Sequence, residues 1–110
     1  MQKYKVLFIG LGRMGFHISA HLSKSKNIEL SIYNRTKKKE NSWLKKYKAK
    51  KFSFKNSLNP KFDLIITCLK DDYSINQVTK DILKSLCFHK KTIFIDHSTI
   101  SLSQVDKLNK

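Results

Sequence analysis

Three glycines constrain this chain more than any other feature. Gly10, Gly12 and Gly15 stand in the spacing G-x-G-x-x-G, as Gly10-Leu11-Gly12-Arg13-Met14-Gly15. They follow directly on a short apolar run of strand character, residues 5–9. They also open a segment in which Met14, Ile18 and Leu22 recur at helical spacing through about residue 24. The spacing alone is a weak signal, but between a strand and a helix it has a mechanism. Gly10 permits a tight turn, Gly12 lets a pyrophosphate approach the backbone, and Gly15 lets the helix pack closely on the strand. The first N–H groups of the helix and the positive end of its dipole then face the phosphates. A glycine turn that binds nothing is the alternative reading of the same residues.

The rest of the chain repeats that alternation. Residues 28–33 alternate as a second strand. Thr36 can cap a helix whose Trp43, Leu44 and Tyr47 share one face. Residues 51–54 form a weak third strand and Asn59-Pro60 marks a turn. Residues 63–69, Asp-Leu-Ile-Ile-Thr-Cys-Leu, read as a buried strand. Asp72 can cap a helix carrying Ile75, Val78, Ile82 and Leu86, residues 92–95 form a fifth strand ending at Asp96, and Ser101 starts a last helix with Leu102, Val105 and Leu108 on one side. Strands that are apolar throughout and alternate with helices indicate a parallel sheet covered on both faces. Right-handed crossovers then give an α/β fold, a Rossmann-type doubly wound sheet of about five strands. No repeat or internal boundary appears in the 110 residues, so residues 1–110 are expected to form a single domain. The chain is expected to be truncated, lacking the strand and further domain that would follow.

The net charge is +15, from 23 Lys and Arg against 8 Asp and Glu, and only Arg13 and Arg35 are arginines. Eight lysines crowd into residues 37–51 with Glu40 alone opposing them. A nucleic-acid or anionic-surface patch is one reading of that cluster, and a solvated helix face is another. No array of arginine forks or stacked aromatics supports base reading, so nucleic acid is not expected as a partner. Lysines beside a phosphate-bearing cofactor would join the two readings. No apolar run reaches the roughly 20 residues of a membrane span. The apolar start breaks at Gly10 with no cleavage site after it, so a signal peptide is not expected. Cys68 and Cys87 form no metal-like pair, and a reduced, cytoplasmic protein is the expectation.

The residue that grips the adenosine ribose in such folds lies about 20 residues past the loop. A carboxylate there accepts from the ribose hydroxyls and repels a 2′-phosphate. This chain has Asn34-Arg35-Thr36 and then three lysines. Arg35 can lie against the adenine and pair with the 2′-phosphate, with Thr36 and Lys37 or Lys38 adding donors. That pattern favours NADP over NAD.

Four stretches in order carry a family likeness: Gly-Leu-Gly-Arg-Met-Gly at 10–15, Tyr-Asn-Arg-Thr at 33–36, Asp-Leu-Ile-Ile-Thr-Cys-Leu at 63–69 and Asp-His-Ser-Thr-Ile-Ser at 96–101. Together they resemble the β-hydroxyacid dehydrogenases, among them 3-hydroxyisobutyrate dehydrogenase, the tartronate and succinic semialdehyde reductases and 6-phosphogluconate dehydrogenase. The resemblance implies that Gly10, Leu11, Gly12, Arg13, Met14 and Gly15, with Asn34, Arg35 and Thr36, hold the adenine half of the cofactor. It implies that Leu69 and Lys70 pass near the ribose and pyrophosphate with Ser74 nearby, and that Thr99 bonds near the nicotinamide or substrate. Two positions depart from the family pattern. Lys70 stands where the family has a proline, and Ser101-Leu102 lacks the proline that often begins the last helix. The family's substrate-binding Ser-Gly-Gly segment and catalytic lysine match no stretch of this sequence, so no catalytic residue is assigned. Substrate turnover is expected only with a further domain, and self-association or a partner chain is an open expectation. A nucleotide-binding module without catalysis remains the alternative, with a basic nucleic-acid-binding protein third.

Several constellations are discounted. His17 and His21 are one helical turn apart but have no third ligand near, so no metal is expected. Cys68 reads as core, and neither cysteine has a base beside it. Asp71 and Asp72 read as helix-start residues, and His97 as a residue at the carboxyl edge of the fifth strand.

Overall fold

In the computed structural model the described residues are 3–54, 61–69, 72–85 and 87–96. They form β1 (Tyr4–Ile9), α1 (Arg13–Ser23), β2 (Ile28–Tyr33), α2 (Lys37–Lys46), β3 (Lys50–Lys51), β4 (Phe62–Thr67), α3 (Asp72–Ser85) and β5 (Phe88–Asp96). The strands make one sheet in the order β3-β2-β1-β4-β5, and every pairing is parallel. This is the expected Rossmann-like α/β architecture.

Side-chain alternation explains how the helices divide between the faces. On β1, Val6 and Phe8 point one way and join Leu30, Ile32 and Trp43, against which Phe16, Ile18, Leu22, Leu44 and Tyr47 of α1 and the α2 region pack. Leu7 and Ile9 point the other way and join Phe52, Phe62 and Ile65 with Val78 and Ile82 of α3. Both faces of the central strand are dry, which is why its sequence is apolar throughout.

Trp43 is fully buried, and its indole N–H donates to Ser19 Oγ at 2.9 Å. The Ser19 hydroxyl donates in turn to the Gly15 carbonyl at 2.7 Å. A buried polar pair thus ties α1 to α2 with its bonding needs met.

Three expectations need correction. Met14 is 59% exposed, because the inner side of α1 is built from the small residues Gly15, Ser19 and Ala20, which let the helix sit close to the sheet. The third strand is shorter and one residue earlier than expected, Lys50–Lys51. The fifth begins earlier, at Phe88, because Phe62 pairs with Phe88 before the register shifts and Leu64 pairs with Ile93. The Thr92 hydroxyl accepts the His89 N–H at 2.8 Å and donates to the Phe62 carbonyl at 2.6 Å, holding this irregular stretch together. Among the described strands β5 lies at the edge of the sheet, and its Ile93 and Phe94 are exposed. Leu86, the Asn59-Pro60 turn, Asp71, His97 and the helix expected from Ser101 lie outside the described residues. No helix among the described residues is long and apolar enough to cross a membrane.

Candidate dinucleotide site

The chain leaves β1 toward β2 and β3 on one side of the sheet, and leaves β4 toward β5 on the other. The loops after β1 and β4 therefore diverge at the carboxyl ends of the strands and leave a crevice. Two backbone bonds fix its floor. Gly10 N–H donates to the Tyr33 carbonyl at 2.9 Å, and Cys68 N–H donates to the Ile9 carbonyl at 2.8 Å.

The three glycines have three different roles. Gly10 sits at φ +103°, and a Cβ there would overlap the Cys68 carbonyl oxygen. At Gly15 a Cβ would overlap the Gly10 carbonyl oxygen and press on the Phe8 ring. Gly12 is different: its backbone is extended, and nothing lies within 4 Å of a Cβ placed there. The first two glycines are needed by the fold. The third is not, and no part of the protein fills the space beside it. Phe16 N–H reaches back to the Gly12 carbonyl at 2.7 Å, and the earlier N–H groups of α1 have no such helical acceptor. An open approach to backbone donors at a helix start fits a pyrophosphate.

The turn from β2 into α2 is held from two directions. Leu11 N–H donates to Asn34 Oδ1 at 2.8 Å, and Asn34 Nδ2 donates to the Thr36 carbonyl at 3.0 Å. Asn34 thus fastens the glycine loop to the turn with both ends of its amide. Thr36 stands at the start of α2 but makes no side-chain cap bond.

A cavity of about 230 Å³ opens between these segments. Gly10, Gly12, Asn34, Arg35 and Thr36 line one side, and Leu69 and Ser74 line the other. Leu11 and Arg13 border a second hollow, which Gly12 and Lys39 also line. Gly15 lies beneath the loop, and Met14 faces outward. Lys70 and Thr99 lie outside the described residues.

Sequence reasoning missed Tyr33, Lys39, Gln77, Val78 and Asp81, which also line the cavity. Among the described lysines, Lys39 rather than Lys37 or Lys38 lines it. Lys37 is drawn aside, its Nζ 3.4 Å from the buried Glu40 and 5.2 Å from the centroid of the Tyr33 ring. Burial is the main influence that raises the Tyr33 hydroxyl above its ordinary range.

Cys68 is half-buried, packed against the core on one side and lining the cavity on the other. Burial, reinforced by the Asp96 carboxylate, raises its thiol, the opposite of what a nucleophile needs. Thr67 Oγ1 donates to Asp96 Oδ1 at 3.0 Å at the same edge of the sheet.

The lysine cluster is in part occupied within the chain. Lys51 reaches Glu40 at 3.7 Å, Lys50 pairs with Glu29, and Lys46 lies over the Phe16 ring. His17 and His21 are exposed, and no group of three potential metal ligands comes together among the described residues.

The profile of the family described as the NAD-binding domain of 6-phosphogluconate dehydrogenase matches residues 5–110. An uncharacterized oxidoreductase of Shewanella frigidimarina is 35% identical over 100 residues, covering 88% of this chain and 33% of that protein. The uncharacterized oxidoreductase YfjR of Bacillus subtilis is 34% identical over 107 residues, covering 94% of this chain and 36% of that protein. The chain therefore spans about a third of the length of these relatives.

Among solved structures, 3-hydroxyisobutyrate dehydrogenase of Mycobacterium tuberculosis superposes with a TM-score of 0.81 at 22% identity, over 98% of this chain and 36% of that one. An imine reductase from Pseudomonas sp. gives 0.70 at 21%, over 97% of this chain and 36% of that one. At these identities the likeness shows the fold. The chain belongs to the NAD-binding domain family of 6-phosphogluconate dehydrogenase.

Proposed function

We propose that this chain is the cofactor-binding domain of an NADP-preferring oxidoreductase of the 3-hydroxyisobutyrate dehydrogenase type, acting on small hydroxy acids or semialdehydes in the cytoplasm. One observation carries the cofactor preference. Arg35, Thr36 and Lys39 line the cavity where the turn after β2 meets it, while the nearest carboxylate on that side, Glu40, is fully buried beneath the turn. A guanidinium, a hydroxyl and an ammonium are donors suited to a 2′-phosphate. Asp81 of α3 also lines the cavity and acts on the Tyr33 hydroxyl.

Gly10, Gly12 and the start of α1 would hold the pyrophosphate through backbone N–H groups. Leu69 and Ser74 would border the ribose. Bound there, the dinucleotide supplies a nicotinamide carbon that gives or accepts hydride. Lys70 and Thr99 belong to this reading by resemblance alone. The hydroxy-acid substrate is proposed for the whole protein, of which relatives three times as long are the pattern.

Calorimetric titration of the chain with NADPH and NADH tests the reading, alongside Arg35→Asp. NADPH should bind the native chain more tightly, and the variant should reverse the order. One charge-assisted pair contributes about 1.5–3 kcal/mol, so roughly tenfold to a hundredfold discrimination is expected. Equal affinities in the native chain would refute the preference.

A further inference from the structure

Glu40 is a carboxylate with no exposed surface, on a helix otherwise crowded with solvated lysines. Its Oε2 accepts the Asn34 N–H at 2.8 Å. Its Oε1 makes no hydrogen bond among the described residues, but lies 3.4 Å from Lys37 Nζ and 3.7 Å from Lys51 Nζ. A buried carboxylate is costly unless it is paired and bonded, and here the two lysines and one backbone amide share that role. The amide is at a telling place. Asn34 opens the turn that carries Arg35 and Thr36, and its side chain fastens that turn to Leu11 of the glycine loop.

We infer that Glu40 is a positioning residue for cofactor discrimination, setting where Arg35 and Thr36 stand by fixing the Asn34 backbone from below. This rests on the NADP-preferring reading above. Being fully buried, Glu40 does not touch the ribose itself. Its carboxylate is withdrawn from the position where it would repel a 2′-phosphate and is used to shape the site that receives one. The loop that receives the pyrophosphate has its own constraint in the left-handed Gly10, so disturbance of the turn falls mainly on the 2′-phosphate contacts.

The test compares Glu40→Met and Glu40→Gln in the full chain, with NADPH and NADH titrated into each. Methionine fills the volume but accepts nothing from Asn34 N–H. Lys37 and Lys51, both about half exposed, can turn to water. Glutamine loses the charge but keeps a carbonyl oxygen for the bond. Glu40→Met is expected to weaken NADPH roughly tenfold more than NADH, the scale of losing a bond to a charged acceptor, while Glu40→Gln retains the native ratio. A purely structural role would lower thermal stability and both affinities alike.

If the native chain discriminates and Glu40→Met keeps the same ratio, the inference is overturned while the preference stands. If the native chain does not discriminate, both fall. Should Glu40→Met not fold, amide hydrogen exchange in the unliganded native chain decides: Asn34 protected relative to Arg35 supports the bond, and equal fast exchange removes it.

Discussion

The glycine loop and the turn after β2 face the same cavity but are held by different means. The loop is fixed by backbone sterics: Gly10 occupies a left-handed conformation against the Cys68 carbonyl, and Gly15 lets α1 approach the Gly10 carbonyl. The turn is fixed by side chains, the amide of Asn34 above and the carboxylate of Glu40 below. Gly10 and Gly15, where the fold needs the absence of a side chain, are intolerant of nearly any substitution. A region built on specific side chains can be retuned one contact at a time. The difference matches the two tasks proposed for these regions, since a pyrophosphate is common to NAD and NADP whereas the 2′-phosphate separates them.

Gly10→Ala should have the largest effect on stability, because its Cβ meets backbone that cannot move aside and its φ is unfavourable for alanine. A loss of about 3 kcal/mol or more is expected in urea denaturation. A smaller loss in the turn would sharpen the contrast. Asn34→Ala removes two side-chain bonds and leaves the Leu11 N–H in need of an acceptor, for about 1–3 kcal/mol, and circular dichroism should show an intact fold. If Asn34→Ala proves the more damaging of the two, the loop is not held chiefly by backbone sterics.

The smallest expected effect lies outside both regions. Asp63 accepts the Lys5 N–H at 2.8 Å, and His89 Nε2 lies 3.0 Å from its other oxygen. The Lys5 amide first, and His89 second, hold its carboxyl below the usual range. Because the folded value is depressed, the contribution is present above the unfolded value near 3.9 and is lost as pH falls through the folded one. Solvent screens this half-exposed group, so the loss should be no more than about 1 kcal/mol. Asp63→Asn should flatten that part of the acid limb, and an unchanged acid limb would show that Asp63 does not carry it.

The same contrast explains what the residue string disclosed. Glycine spacing speaks directly about backbone geometry, so the loop was legible, and apolar strands alternating with helices made the parallel sheet legible. The turn was only half legible. Arg35 and Thr36 were recognisable as donors, but which lysine joins them depends on Glu40 drawing Lys37 away and leaving Lys39 toward the cavity. Glu40 itself reads as one acid among eight lysines, and Lys37 three residues before it looks like an ordinary surface pair; its burial rests on an amide six residues back and a lysine on β3. Met14 misled for the converse reason: at a close helix–strand contact, small residues take the inner positions and a large apolar residue is turned out. The irregular start of β5 was hidden because His89, Lys90, Lys91 and Thr92 show no apolar alternation.

Gly12→Val, titrated with NADPH, tests the dinucleotide site most directly. Nothing in the protein lies within 4 Å of a Cβ at this position, so the fold should survive with a cost on the order of 1 kcal/mol for valine at a helix start. A branched side chain there would fill the space through which the pyrophosphate reaches the backbone. The expected result is a native circular dichroism spectrum with NADPH affinity reduced at least about a hundredfold, the loss of more than 2.7 kcal/mol. A folded Gly12→Val chain that binds NADPH as the native chain does would contradict the assignment of this cavity as the dinucleotide site.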